Sequence, residues 1–313
     1  MKRQSASVAL LARLWLLAAC ALIALPAESA ALRYCDSAPS LSAAQQDTLL
    51  RFADVIKTEL DASGSRVALV ARSGLDLAQF GQRYSHAGIS LQASPNAAWS
   101  VRQLYYACDE RRPRLFDQGM PGFLLGSDSP DIGYLSVLLL PEQAAAALEQ
   151  SALDNAVALQ LLGGNYSANA HAFSTRYQNC NQWVAELLAL AWADPPADTQ
   201  VEPRLDVRTR AQAWLQAQGF QPTTFDVGNR ALMWLASGLP WLHEDDHPAE
   251  DLAAARYRVS MPASIQAFVQ ARLPGVQRLE FCHRGRQVVL RRGWDAIVDG
   301  CQPGEGDRVV LLD

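Results

Sequence analysis

Apolar positions Leu49, Phe52, Ala53, Ile56 and Leu60 recur on one helical face, which predicts a helix over residues 42–60. Ser42 and Gln45 have the spacing of a capping box, and Gly64 follows as a stop. Residues 66–72 (RVALVAR) form a short apolar run with charged ends, the pattern of a buried strand. Two more strand-like runs cover 84–91 and 98–108, and the turn-rich QASPN between them predicts a hairpin. Residues 135–140 read as a further strand. Pro141 then suits the first turn of an Ala- and Leu-rich helix that runs to Gly163-Gly164. Residues 165–178 are polar and read as a loop, and a helix follows from about Cys180 to Trp192.

The linker Asp194-Pro195-Pro196-Ala197-Asp198 marks a domain boundary. Beyond it, helices are expected over 209–218, 229–237 and 262–272, with a hairpin over 276–291 turning at His283-Arg284-Gly285. A helix, then strands, then a helix and a mostly helical tail is an α+β order rather than that of a wound parallel sheet. No internal repeat or low-complexity segment interrupts it.

The first thirty residues depart from this pattern. Lys2, Arg3 and Arg13 precede an uncharged apolar run over 14–25, and small residues after Pro26 supply a cleavage zone near Ala30. This is the form of a secretory signal peptide over residues 1–30, which predicts a periplasmic or secreted protein. The alternative is a lipid anchor at Cys20, since Leu17-Ala18-Ala19-Cys20 has the shape of a lipid-attachment box. Against it, the apolar core continues past Cys20. No later run is long enough for an integral membrane span. Half of the 313 residues are hydrophobic and the formal net charge is −5, so a real core is expected and the basic footprint of a nucleic-acid partner is missing.

Removal of the signal leaves an odd number of cysteines: Cys35, Cys108, Cys180, Cys282 and Cys301. In an oxidising compartment they tend to pair. Cys282 and Cys301 flank a short segment that a disulfide would close. If Cys35 pairs with Cys108, Cys180 is left free. A buried structural thiol is the other reading of Cys180.

Cys180 stands at the start of a helix whose apolar stripe is Trp183, Val184, Leu187, Leu188 and Ala191. Unpaired backbone N–H groups there favour a thiolate and offer donors to an oxyanion. A thiolate enzyme also needs a base and an orienting group. His86 begins a strand, and the hairpin brings the region of Gln103 to Tyr105 opposite it. Gln103 is the candidate to hold the imidazole tautomer, with Tyr105 as the alternative. His171 is the alternative base, and Tyr166, Tyr177, Asn179 and His171 are candidates to line a substrate pocket.

These residues carry a resemblance. Ser85-His86-Ala87-Gly88-Ile89 resembles the Ser-His-Val-Gly-Ile strand of the NlpC-type papain-like superfamily, and Asn179-Cys180-Asn181-Gln182-Trp183-Val184 resembles its Cys-Ser-x-Phe-Val nucleophile helix. His precedes Cys, as in the circularly permuted branch. That branch sets a polar residue on the next strand, which falls on Gln103; acidic residues are common there, so Gln is a departure. The likeness covers roughly residues 66–192, and the whole chain also resembles a bacterial family known as DUF2145.

The resemblance implies a papain-like antiparallel sheet with a nucleophile helix over 31–194, and an extension over 197–313. It implies thiolate attack on an amide, ester or thioester without cofactor or metal, and export makes a peptide or cell-wall substrate the first expectation. The competing readings are an inactive envelope binding protein using the same cleft and a structural protein with a buried Cys180. His243-Glu244-Asp245-Asp246-His247 matches a zinc-peptidase pattern, but Pro240 and Pro248 bracket it and a solvated acidic loop is expected instead. Arg284, Arg286, Arg291 and Arg292 are read as a solvated strand face.

Overall fold

The computed structural model describes residues 41–127, 129–193 and 206–313. The expected signal peptide, Cys20, Cys35 and the expected linker at 194–198 lie outside the described residues. Helix α1 (Ala43–Ala62) opens the described chain with the Ser42/Gln45 capping box formed, and its apolar face is buried. Strands β1 (Val67–Arg72), β2 (His86–Leu91), β3 (Ser100–Ala107) and β4 (Arg112–Gln118) follow as an antiparallel run. Then come α2 (Met120–Leu124), β5 (Ile132–Leu139), α3 (Glu142–Leu153), α4 (Asn155–Gln160) and α5 (Cys180–Trp192). The single helix expected after Pro141 is two. Asp154 breaks it, because its carboxylate caps the N–H groups of Ala156 and Val157.

The remainder comprises α6 (Val207–Ala217), β6 (Thr223–Asp226), α7 (Arg230–Ala236), α8 (Ala249–Ala253), β7 (Arg256–Val259), α9 (Pro262–Arg272), β8 (Gln277–Arg284), β9 (Gln287–Arg292) and β10 (Arg308–Leu311). This stretch is not mostly helical, as the sequence pattern had suggested. β6 pairs with β7, while β8 pairs with β5 and carries β9 and β10 into the main sheet. The sheet order is β10-β9-β8-β5-β1-β2-β3-β4, antiparallel throughout. The C-terminal strands therefore build the same sheet as the N-terminal ones, within one compact unit.

All six residues of β1 are buried, since both sheet faces are covered there. Ala68 and Val70 join α1 residues Phe52 and Ile56 and α2 residue Phe123 in the main core. Leu69, Ala71 and Ala87 line a small cavity with Val184 of α5 and Ile265 of α9, which marks the opposite face. Cys282 and Cys301 form a disulfide with an S–S distance of 1.99 Å. Cys108 is disulfide-bonded as well, and Cys180 is a free, buried thiol.

Helix α5 is buried nearly all round rather than along one stripe, because α6 covers its outer side. Glu186, with no exposure, receives Arg208 Nε at 2.9 Å, Arg208 Nη2 at 3.0 Å, Gln178 Nε2 at 2.6 Å and Gln212 Nε2 at 2.7 Å. Burial raises the pKa of its carboxyl group, and Arg208, Gln212 and Gln178 oppose that rise.

Candidate functional site

Two segment starts meet at the candidate site: the front of β2 at His86 and the first turn of α5 at Cys180. Asn179 caps α5, its side chain accepting from the Gln182 N–H at 2.7 Å. The β2–β3 register begins only at Ile89↔Arg102, which leaves the front of β2 open to Asn181. The Asn181 side chain accepts from the Ala87 N–H at 2.9 Å and donates to the Ser85 carbonyl at 3.1 Å. It thus fastens the residue after Cys180 to the peptide groups on both sides of His86. Asn181→Ala removes both bonds and leaves the Ser85 carbonyl without this partner, and is expected to cost about 1–3 kcal/mol, read from urea unfolding.

The ring of His86 is oriented by the hairpin partner strand. Its Nε2 lies 2.5 Å from Gln103 Oε1, and Gln103 Nε2 donates to Gln118 Oε1 at 2.6 Å. Because the amide nitrogen of Gln103 is committed to Gln118, its oxygen faces the imidazole. His86 Nε2 therefore carries the proton and Nδ1 holds the lone pair. Gly88, two residues on, permits this approach of β3: a Cβ there would stand 2.5 Å from Val101 Cγ1 and 3.1 Å from the Arg102 carbonyl. Tyr105, the alternative orienting residue, makes a ring contact with His86 at 5.1 Å, while its hydroxyl accepts from Arg72 Nη2 at 3.0 Å.

By strand alternation His86 belongs to the sheet face of Tyr105 and Phe123, whereas α5 covers the other face. The two meet around the end of the strand. The N–H of Ala87, with those of Asn181 and Cys180, acts on the Cys180 sulfur, and no hydrogen bond joins that sulfur to the imidazole. Cys180 and His86 are 7% and 8% exposed, so the site is closed.

Closure decides the protonation states. Burial pushes the Cys180 thiol up to about 11, against the opposing charge of Arg72 and the three N–H groups. The expectation that a helix start favours the thiolate is corrected: desolvation outweighs the helix N–H groups here. Burial, and then the charge of Arg72, lowers His86 to about 3, with the bond to Gln103 acting the other way. Thiol and imidazole are both neutral at rest.

The His86 shift has a consequence for stability. Between about pH 6.5 and 3 the unfolded chain binds a proton at this position and the folded chain does not, so stability falls as the pH falls through that window. His171, His247 and His283 are lowered too, each first by burial, and act in the same sense. Urea unfolding at pH 7, 5 and 4 should show the decline, and His86→Gln should flatten it by roughly 4 kcal/mol at most.

The remaining candidates divide. Tyr166 is buried, stacks on Tyr106 at 5.0 Å and has its pKa raised well above the usual value, first by burial and then by Cys180. Asn179 also donates to the carbonyls of Ala168 and Ser260. Tyr177 instead stacks on His243 at 4.4 Å, and the His171 ring lies 5.5 Å from that of His247. The run 243–247 turns rather than forming a helix, as its flanking prolines imply. It is not wholly solvated, however: Asp246 accepts from the His171 N–H at 2.9 Å, and His247 Nε2 bonds to the Asn169 carbonyl at 2.8 Å. Among the described residues no group of three His, Cys, Asp or Glu is arranged to hold a metal. Arg291 and Arg292 are neutralised by Asp307 and Glu59 rather than left as a patch.

Sequence reasoning missed Asn181 and Arg72. Asn181 had a signal, being a polar residue in the first turn beside the candidate nucleophile. Arg72 looked like the charged end of a strand.

A family model described as an uncharacterised protein conserved in bacteria (DUF2145) matches residues 59–269. Neither a curated protein nor a solved structure matches the chain.

Proposed function

We propose that this chain, which belongs to the bacterial DUF2145 family, is an exported thiol hydrolase of the permuted papain-like type. It would cleave or transfer an amide or isopeptide bond, with cell-wall peptides the first substrate class by location. The observation that carries the reading is the chain of bonds from His86 Nε2 through Gln103 to Gln118, which leaves Nδ1 as the basic nitrogen. The Asn181 clamp supports it, since that clamp fastens the thiol-bearing turn to the same end of β2.

In this mechanism the site opens to admit substrate. As the Cys180 sulfur bonds to the carbonyl carbon, the thiol proton passes to His86 Nδ1 and the carbonyl electron pair moves onto oxygen. N–H groups at the start of α5 stabilise that oxyanion. The C–N bond then breaks, the proton goes from His86 to the leaving nitrogen, and water releases the acyl group from sulfur. The test is digestion of purified peptidoglycan and of its isolated stem peptides by wild type and Cys180→Ala, with products read by mass spectrometry. Fragments formed by the wild type alone are expected.

A binding protein that has kept the cleft but not the chemistry is the second reading. The burial of both groups and the absent bond between sulfur and imidazole favour it. Identical fragments from both proteins, together with retention of the chain on peptidoglycan, would select it.

A further inference from the structure

The surroundings of Arg72 are unusual for a buried cation. It ends β1, and its partner in the β1–β2 ladder is His86, so the two side chains are cross-strand neighbours on one face. It is 3% exposed. Nη1 donates to the carbonyls of Ser73 and Gly126, Nη2 donates to the Tyr105 hydroxyl, and the Phe123 ring centroid lies 5.4 Å from Cζ. Nε is buried without a partner. Every acceptor is neutral.

The other deeply buried arginines differ. Arg102 pairs with Asp117, Arg208 with Glu186 and Arg278 with Glu280. No carboxylate among the described residues lies within 4.0 Å of Arg72. A buried charge without a counter-charge is costly, so an anion is expected to complete the site in some state.

Backbone packs tightly about the guanidinium. A Cβ at Gly74 would stand 2.7 Å from Nη1, and one at Gly126 would stand 2.6 Å from Cζ. Backbone thus closes on the guanidinium from two sides, the Phe123 ring lies against it and Tyr105 occupies Nη2. A negative charge generated inside the fold would meet this cation without an incoming ligand. Cys180 is the free acid at this end of the sheet, fastened through Asn181 to the peptides flanking His86.

We propose that Arg72 is the built-in cation of the site, opposing a second positive charge on its neighbour His86 and stabilising the anion formed when Cys180 gives up its proton. The proposal rests on the reading of Cys180 and His86 given above, and makes Arg72 a positioning residue rather than a proton donor. Its charge lowers both the thiol and the imidazole, the two responses expected of a nearby cation.

The groups that face the ring are Arg72 from β1, Gln103 and Tyr105 from β3, Gln118 beyond Gln103 and Phe123 from α2, while Cys180 and Asn181 of α5 meet the backbone on either side of it. Among the described residues none of these elements supplies a carboxylate that pairs with His86 or Arg72.

The experiment is iodoacetamide labelling of Cys180 in the full native chain between pH 7 and 9, read by mass spectrometry, in wild type, Arg72→Gln, Arg72→Lys and His86→Gln. Loss of the cation raises the thiol pKa, so Arg72→Gln should label about tenfold more slowly at each pH, with Arg72→Lys near wild type. Mere loosening would hydrate the thiol and speed labelling, so a faster or unchanged rate in Arg72→Gln overturns the proposal. If His86→Gln is slower while Arg72→Gln equals wild type, only the Arg72 proposal fails. If His86→Gln also equals wild type, the underlying reading fails with it.

A second comparison leaves Arg72 in place and covers a failure of Arg72→Gln to fold. Cys180→Asp puts a permanent anion at the position of the thiol, and Cys180→Asn is its neutral control. At pH 7 the Asp variant should melt at or above the Asn variant. A markedly lower melting temperature overturns the proposal.

Discussion

Arg208→Met should lower the unfolding free energy by roughly 3–5 kcal/mol, measured by urea denaturation at pH 7. The loss comes less from the missing attraction than from what remains. Glu186 has no exposure, and without Arg208 its carboxylate keeps the side-chain amides of Gln178 and Gln212 but no cation. Removing both charges together, as in Glu186→Gln with Arg208→Met, should recover most of the loss, because an apolar or neutral replacement of a buried pair is often tolerated. The effect should also reach the site. Gln178 links Glu186 to the loop that leads into Cys180, and Arg208 holds the carbonyls of Thr175 and Tyr177 in the same loop. Cys180 in the single variant should therefore label faster than in wild type.

Substitutions in the proposed triad should have the largest effect on turnover. Once a cleaved peptide is in hand, Cys180→Ala and His86→Gln should each lower kcat by at least ~1,000-fold, and the double variant should lose little more, since the two act as one unit. Gln103→Ala should cost less, about 10–100-fold, because it frees the ring to take the wrong tautomer without removing the base. Gln103→Glu is the informative variant. It places a carboxylate against His86 Nε2, which raises the basicity of the ring and moves the acid limb of the pH–rate profile upward. That carboxylate would be buried beside Gln118, whose amide must turn to donate, so a loss of stability should accompany the shift.

Much of the architecture was legible because its signals are local. The Ser42/Gln45 cap, the apolar run of β1 and the turn-rich hairpin between β2 and β3 all took their expected form. β4 was missed because Pro113 and two arginines disguise a strand at the sheet edge, where a missing N–H is tolerated. Strands β8 to β10 were partly read, as a hairpin, but nothing local in residues 277–311 states that they pair with β5. Long-range pairing has no signature in a single chain.

The site shows the same division. The hairpin sufficed to bring Gln103 within reach of His86, and a helix start sufficed to single out Cys180. The consequences of burial were not legible. The same first turn that favours a thiolate in solvent holds a neutral thiol once Cys180 is buried. Arg72 read only as the charged end of a strand, and the register Arg72↔His86 reveals it as a buried neighbour of the ring.

Native-state alkylation of Cys180 in wild type against His86→Gln, at pH 7.5 and with the denatured proteins as controls, tests most directly whether the sulfur and the imidazole act together. A rate at least ~10-fold lower in His86→Gln, with equal rates after denaturation, is the result expected of a thiol whose proton the ring accepts. Equal rates in the native proteins would contradict it.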